Sequence, residues 1–183
     1  AKTQVQVSSN STLTGQVERL EQVPSAFLEH KRDVLVWLPP DYQNSQRTYP
    51  VLYMHDGQML FDAETTWNNQ EWKVDEIVSS LMHSGKIKNT IVVAIWNHSD
   101  IRHSDYFPNK PFKTLSDEFL NNLTKNYPDL FKGGIQSDNY LKFIVKELKP
   151  FIDSHFSTFT DRENTGIMGS SRGGLISMYA ISE

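Results

Sequence analysis

Polar and apolar residues alternate through FLEHKRDVLVWLPPDY, residues 27–42, a pattern that predicts an extended strand. Pro39 and Pro40 must end it, because neither carries an N–H for a sheet ladder. Val51 to Met54 is a short apolar run entering an Asp56-Gly57 turn, as a buried strand would. Trp72, Val74, Ile77, Val78 and Leu81 then recur at near-helical spacing, with Gly85 as a stop. NTIVVAIWN, residues 89–97, is a second buried strand without alternation, which suggests a parallel sheet covered on both faces. Residues 137–156 form an amphipathic pattern that predicts a helix ending or kinking near Pro150. RENTGIMG, residues 162–169, supplies a further short strand, and residues 172–182 read as a helix.

Two stretches lack such patterning. Residues 1–24 are polar and rich in Ser, Thr and Gln, which predicts an N-terminal arm or an edge strand. Residues 98–137 are rich in Asn, Pro and Lys, with a helix expected only near 116–124. A connection of that length predicts a functional loop or an inserted cap. From residue 25 to 183 the order is strand, helix, strand, helix, strand, helix. It predicts one α/β domain with a mainly parallel sheet and right-handed crossovers.

Composition narrows the function classes. A chain of 183 residues can bury the core of one domain. Its net charge of -4, without basic clusters, argues against nucleic acid or anionic membrane as a partner. The longest apolar runs fall far short of spanning length, so membrane insertion is not expected. With no cysteine, disulfides, thiolate metal sites and a cysteine nucleophile are excluded. The chain opens Ala-Lys-Thr without an apolar targeting segment. A mature periplasmic or secreted protein and a trimmed chain both look like that, and the lack of cysteine tilts the reading toward export.

The chemistry concentrates near the end, in IMGSSRGG. Gly169-Ser170-Ser171-Arg172-Gly173 fits G-x-S-x-G with Ser171 at the centre. Ser170 cannot be the centre, because Met168 and Arg172 stand where its glycines should be. A nucleophile on a sharp strand-to-helix turn needs neighbours without side chains, which Gly169 and Gly173 provide. The Arg172 N–H would face a developing oxyanion at the positive end of the following helix. A second amide is required from the loop after an earlier strand, and Gln58, just past Gly57, is the candidate. Structural alternatives stay open: a glycine-rich turn with a buried serine for the first motif, a plain Asp-Gly turn for the second.

RDVLVWLPPDY, YPVLYMHDGQMLFD, WKVDEIV, IVVAIWN, YLKFIVKELKPFID and IMGSSRGGLISMYA together resemble the putative-esterase family of α/β-hydrolases. Its members include enterochelin-esterase-like, esterase D-like and feruloyl- or acetylxylan-esterase-like enzymes, and the likeness covers residues 27–183. The resemblance implies an α/β-hydrolase fold and a serine ester hydrolase working through an acyl-enzyme at Ser171. It implies a Ser-Asp/Glu-His triad, a small-molecule ester as partner, and no metal or cofactor. Two alternatives share the scaffold: an acyltransferase of the mycolyltransferase kind, and a ligand-binding derivative without activity. In the family the HDGQ histidine, here His55, belongs to the oxyanion loop and is not the base.

The substrate side is less defined. His55 and Asp56 border the oxyanion loop, and Trp67 follows it closely enough to touch a ligand. Arg102, Asp105 and Tyr106 lie in IRHSDYFP, which resembles a family segment bordering the active site. Arg102 would bind a carboxylate or catecholate oxygen, or form a salt bridge inside the loop. One departure stands out. The acid and histidine should follow the nucleophile in chain order. The twelve residues after Ser171 contain no histidine and one acid, Glu183. The expectation is therefore an α/β-hydrolase fold incomplete on its C-terminal side, whose partners come from further chain.

Overall fold

The computed structural model describes residues 12–183 in full and the backbone of residues 2–4. Six strands form one sheet in the order β1-β2-β3-β5-β4-β6. They are β1 (Lys2–Gln4), β2 (Gln16–Val23), β3 (Arg32–Leu38), β4 (Val51–His55), β5 (Ile91–Ile95) and β6 (Thr165–Met168). The 1–24 stretch therefore contributes two strands, and the described part of it that enters the sheet most deeply is β2, between β1 and β3. The sheet is mixed. β5, β4 and β6 run parallel, whereas β1, β2, β3 and β5 pair antiparallel with their neighbours in turn. β3 is buried at every position, the charged Arg32 and Asp33 included, rather than on alternate residues, and β5 likewise, so the apolar runs record two covered faces and not strand direction.

Alternation then divides the core in two. Val34, Val36 and Leu38 meet Val93 and Ile95 on one face, covered by residues 140–156 and by Ile176 and Tyr179. Leu35 and Trp37 join Met54, Val92 and Ala94 on the other, covered by Val74 and Met82. The covering helices are α1 (Val74–His83), α5 (Ser137–Lys142), α6 (Lys149–His155) and α7 (Arg172–Ser182). Between β5 and α5 lie α2 (Arg102–Tyr106), α3 (Asn109–Phe112) and α4 (Asp117–Asn126). The 98–137 stretch is thus mostly helical. Ser116 caps α4 by accepting from the Phe119 N–H at 3.2 Å, and Phe107, Phe112 and Phe131 close the excursion edge to face.

Two boundaries differ from the periodicity for local reasons. α1 begins at Val74 because residues 72–74 bond back to the loop after β4: Trp72 N–H donates to the Met59 carbonyl at 2.8 Å, and Val74 N–H to that of Leu60 at 3.0 Å. The helical run through Pro150 neither ends there nor breaks. A π-helical stretch, Phe143–Leu148, joins α5 to α6, and its wider turn accommodates a ring that would otherwise crowd the carbonyl four residues back. At the far end of the sheet, β6 pairs only with β4 among the described residues. Met168 at its end and Met178 and Ile181 on α7 are more than half exposed.

A tight joint lies between β4's exit and β5. A Cβ on Gly57 would lie 2.7 Å from the Ala94 carbonyl carbon and 2.8 Å from its oxygen, both backbone atoms of a central strand. Gly57→Ala is expected to cost about 1–3 kcal/mol of stability, seen as a lower urea midpoint at unchanged slope. An unaltered midpoint would show that β5 yields there freely.

Candidate active site

β4 and β6 are adjacent and parallel, with Met54 opposite Met168, so the chain leaves both strands at the same end of the sheet. After β4 it turns sharply: Asp56 is left-handed, at φ 57° and ψ 45°, a conformation short polar side chains tolerate. Gly57 then slides under β5's end, and Gln58 follows. The Gln58 side chain is committed to β5's exit, its Oε1 accepting from the Asn97 N–H at 3.0 Å and its Nε2 donating to the Asn97 carbonyl at 3.3 Å. That clamp fixes the loop whose backbone amide is the candidate oxyanion donor.

After β6 the bend is tighter still. Ser171 lies at φ 56° and ψ -120°, outside every comfortable region for a residue with a Cβ. Holding it there costs on the order of 1–3 kcal/mol, which the surroundings must supply. Ser171 is exposed and precedes the first residue of α7, whose initial amides have no intrahelical acceptor. The two glycines differ in role. A Cβ on Gly169 would sit 2.5 Å from the Gly173 carbonyl carbon, so no other residue fits. A Cβ on Gly173 would meet only ordinary contacts, at 3.4 Å from Asp56 Oδ2 and 3.5 Å from His55 Cβ. Those contacts put the first turn of α7 directly against the turn after β4.

Beneath this junction lies a buried polar floor. Arg102 donates through Nε to Asp56 Oδ1 and through Nη2 to Oδ2, both at 2.7 Å, while Asn97 Nδ2 donates to Oδ1 at 2.7 Å. The Arg102 guanidinium also stacks over the Tyr106 ring at 5.1 Å. The Asp56 N–H donates to the Tyr106 hydroxyl at 3.2 Å, and His55 Nδ1 pairs with the Tyr140 hydroxyl at 2.6 Å. Burial pushes the His55 pKa down to about 4, against the pull of the Asp56 carboxylate, so the imidazole is neutral at pH 7. Behind Tyr140, Arg32 and Asp105 form a second buried pair at 3.1 Å.

This floor corrects the substrate-side expectations. His55 and Tyr106 are fully buried and Asp56 nearly so, and none of the three presents a surface to a ligand. Of the two readings for Arg102, its fork is occupied by Asp56, so the salt bridge is the arrangement present. Trp67 stands 86 % exposed on the loop after Thr66. Among the described residues, no histidine bonds the Ser171 hydroxyl. His103 instead accepts from Arg172 Nη1 at 2.6 Å, with its pKa lowered by burial and then by Arg172 and Arg102. His98 stacks on His30, and His155 on Phe151. Asn97 and Tyr140, which hold Asp56 and His55, escaped the sequence reading. Asn97's place at the end of a buried strand was the available signal; nothing in the sequence marked Tyr140.

The model of the family described as Putative esterase matches residues 25–183. YbbA of Bacillus subtilis, an uncharacterized protein, is 27 % identical over 156 residues, 84 % of this chain and 53 % of its own length. An endo-1,4-beta-xylanase/feruloyl esterase of Xylanibacter ruminicola is 29 % identical over 144 residues, 76 % of this chain and 16 % of that one. The crystal structure of an IroE-like serine hydrolase from Shewanella oneidensis superposes with a TM-score of 0.62 at 28 % identity, over 90 % of this chain and 45 % of that one. The chain thus spans about half the length, or less, of these relatives. No helix of the described residues is long and apolar enough to cross a membrane.

The neutral His55 carries a pH signature. Its folded pKa, about 4, lies below the unfolded value near 6.5, so the unfolded state binds more protons between them. The contribution is complete above pH 6.5 and is lost as pH falls toward 4. His55→Gln should be destabilising at pH 7.5, with the gap to wild type narrowing by roughly 2 kcal/mol at pH 4.5 in urea titrations. Parallel profiles would show that folding does not lower the His55 pKa.

Proposed function

Because this chain belongs to the Putative esterase family, we propose that it carries the nucleophile and the oxyanion hole of a serine ester hydrolase. The observation that carries the reading is the conformation of Ser171. A solvent-facing serine held at φ 56° and ψ -120°, on a bend that only glycine at 169 permits, has no evident structural task. Strain of this kind persists where the surrounding structure imposes it, and such residues cluster at reactive sites. In this reading Ser171 Oγ attacks the ester carbonyl carbon as its proton passes to a base. The carbonyl oxygen takes the negative charge and is held by the Arg172 and Gln58 amides. The alkoxide leaves with a proton returned by that base, and water repeats the sequence to release the acid.

The base is proposed to be a histidine outside these residues, with an acidic residue orienting it. The engagements of the chain's own histidines support this: His55 is enclosed, and His103 is held by Arg172. The similarity to a feruloyl esterase makes feruloyl esters one substrate class to assay first, beside simple aryl esters. The neutral-to-acidic surface suits an uncharged or weakly charged ester better than a polyanion.

A fluorophosphonate probe tests the reading on the longest natural form of the protein. Covalent labelling should map to Ser171, vanish in Ser171→Ala and persist in Ser170→Ala, with ester turnover falling at least 1,000-fold only in the former. These 183 residues alone should turn over esters barely, if at all. Labelling at Ser170, or full activity in Ser171→Ala, would sink the proposal.

A further inference from the structure

Three carboxylates meet at the start of α1. One oxygen from each of Glu71, Asp75 and Glu76 lies within 4.8 Å of the other two. Asp75 is fully buried, and its two oxygens are used differently: Oδ2 accepts from the Thr14 N–H at 2.6 Å and from the Thr14 hydroxyl at 2.7 Å, whereas Oδ1 is shielded from solvent and has no partner. Glu71 Oε2 and Glu76 Oε2 are likewise shielded and unpartnered. No lysine or arginine of the described residues forms an ion pair with any of the three, and Lys73, between them in sequence, points to solvent.

Three shielded carboxylate oxygens in so small a cluster are unfavourable unless something positive lies among them, a cation or a proton shared between Glu76 and Asp75. The N-terminal end of α1 compensates only in part, through its dipole and a hydrogen bond from the Glu76 N–H to its own carboxylate. We propose that Glu71, Asp75 and Glu76 form a divalent-cation site of the all-oxygen class that Ca2+ fills. Ca2+ binds oxygens at about 2.3–2.6 Å, so donors on opposite sides of the ion stand up to about 5 Å apart, which admits the spacing here. Mg2+ needs a tighter set, and zinc sites draw on nitrogen or sulfur donors that this cluster lacks. With three protein residues, the rest of the shell is water, and the affinity belongs in the weak range, Kd about 0.1–1 mM.

The placement gives the ion a purpose. Glu71 lies on the segment returning from the oxyanion loop, Asp75 and Glu76 open α1, and Thr14 leads into β2. One cation would staple all three to each other, stiffening the loop that carries Gln58. The competing occupant is a proton shared within the trio.

Neither possibility depends on the ester-hydrolase reading, and the test uses no turnover. Tb3+ is added to EDTA-stripped protein and excited through tryptophan, with Trp72 adjacent in sequence to Glu71. The signal should saturate at one ion per chain, be displaced by Ca2+ at submillimolar to millimolar concentrations, and weaken at least 10-fold in Glu71→Gln/Glu76→Gln. Millimolar Ca2+ should raise the wild-type Tm by roughly 5 °C and leave that of the double variant unmoved. Cooperative melting of the variant in EDTA verifies that it folds, and Glu76→Gln alone serves should it not. No saturable signal, undiminished binding in the variants, or a wild-type Tm indifferent to Ca2+ would overturn the site.

Discussion

The Asp56 carboxylate is the point on which this structure turns. It is nearly buried, it sits on a left-handed residue, and it takes two hydrogen bonds from Arg102 and a third from Asn97. Removing one member of such a pair costs on the order of 3–5 kcal/mol when both are enclosed, and somewhat less here because Arg102 retains partial exposure. Its value is positional. It ties the exit of β4 to the exit of β5 and to α2, and it lies against Gly173 in the first turn of α7. Three chain segments distant in sequence are thereby held at one end of the sheet.

That junction explains how a strained residue survives. Ser171 cannot relax into helix or strand, because Gly169 is pressed on the Gly173 backbone on one side and α7 packs Ile176 and Tyr179 into the core on the other. The turn after β4 is rigid in the same way, with Gly57 seated on β5 and Gln58 clamped to Asn97. Two rigid turns side by side are what electrostatic catalysis needs. In the proposed esterase reading, amides held on two such turns would meet a developing negative charge without reorganising during reaction.

Much of this was legible in the sequence, for reasons that can be named. The runs around Val51 and Ile91 read as strands because both sheet faces are covered, and GSSRG read as an elbow because its steric demands fall on residues adjacent in the chain. The antiparallel half of the sheet did not show itself, since the Val34–Leu38 part of β3 is as apolar as the parallel strands. Nor did α2 and α3, whereas the helix expected near 116–124 is present as α4. α2 is five residues long and owes its place to Asp105, Tyr106 and Arg102 reaching other elements, which leaves no periodic trace. Arg102 and Asp56 stand 46 residues apart, and nothing local links them. The substrate-side roles of His55, Asp56 and Tyr106 were misjudged for the same reason: proximity to a site was visible, and burial beneath it was not.

The central claim is that the Asp56–Arg102 pair organises both turns locally, on top of a core that stands without it. Residue-resolved hydrogen exchange on wild type and Arg102→Met tests this directly. The amides of Met59, Asn97 and Gly173, which close the two turns and their clamp, should exchange roughly 10- to 100-fold faster in the variant. The amide of Val93, in the centre of β5, should keep its protection. Unchanged exchange at the three turn amides, or acceleration of Val93 by the same factor, would contradict the account.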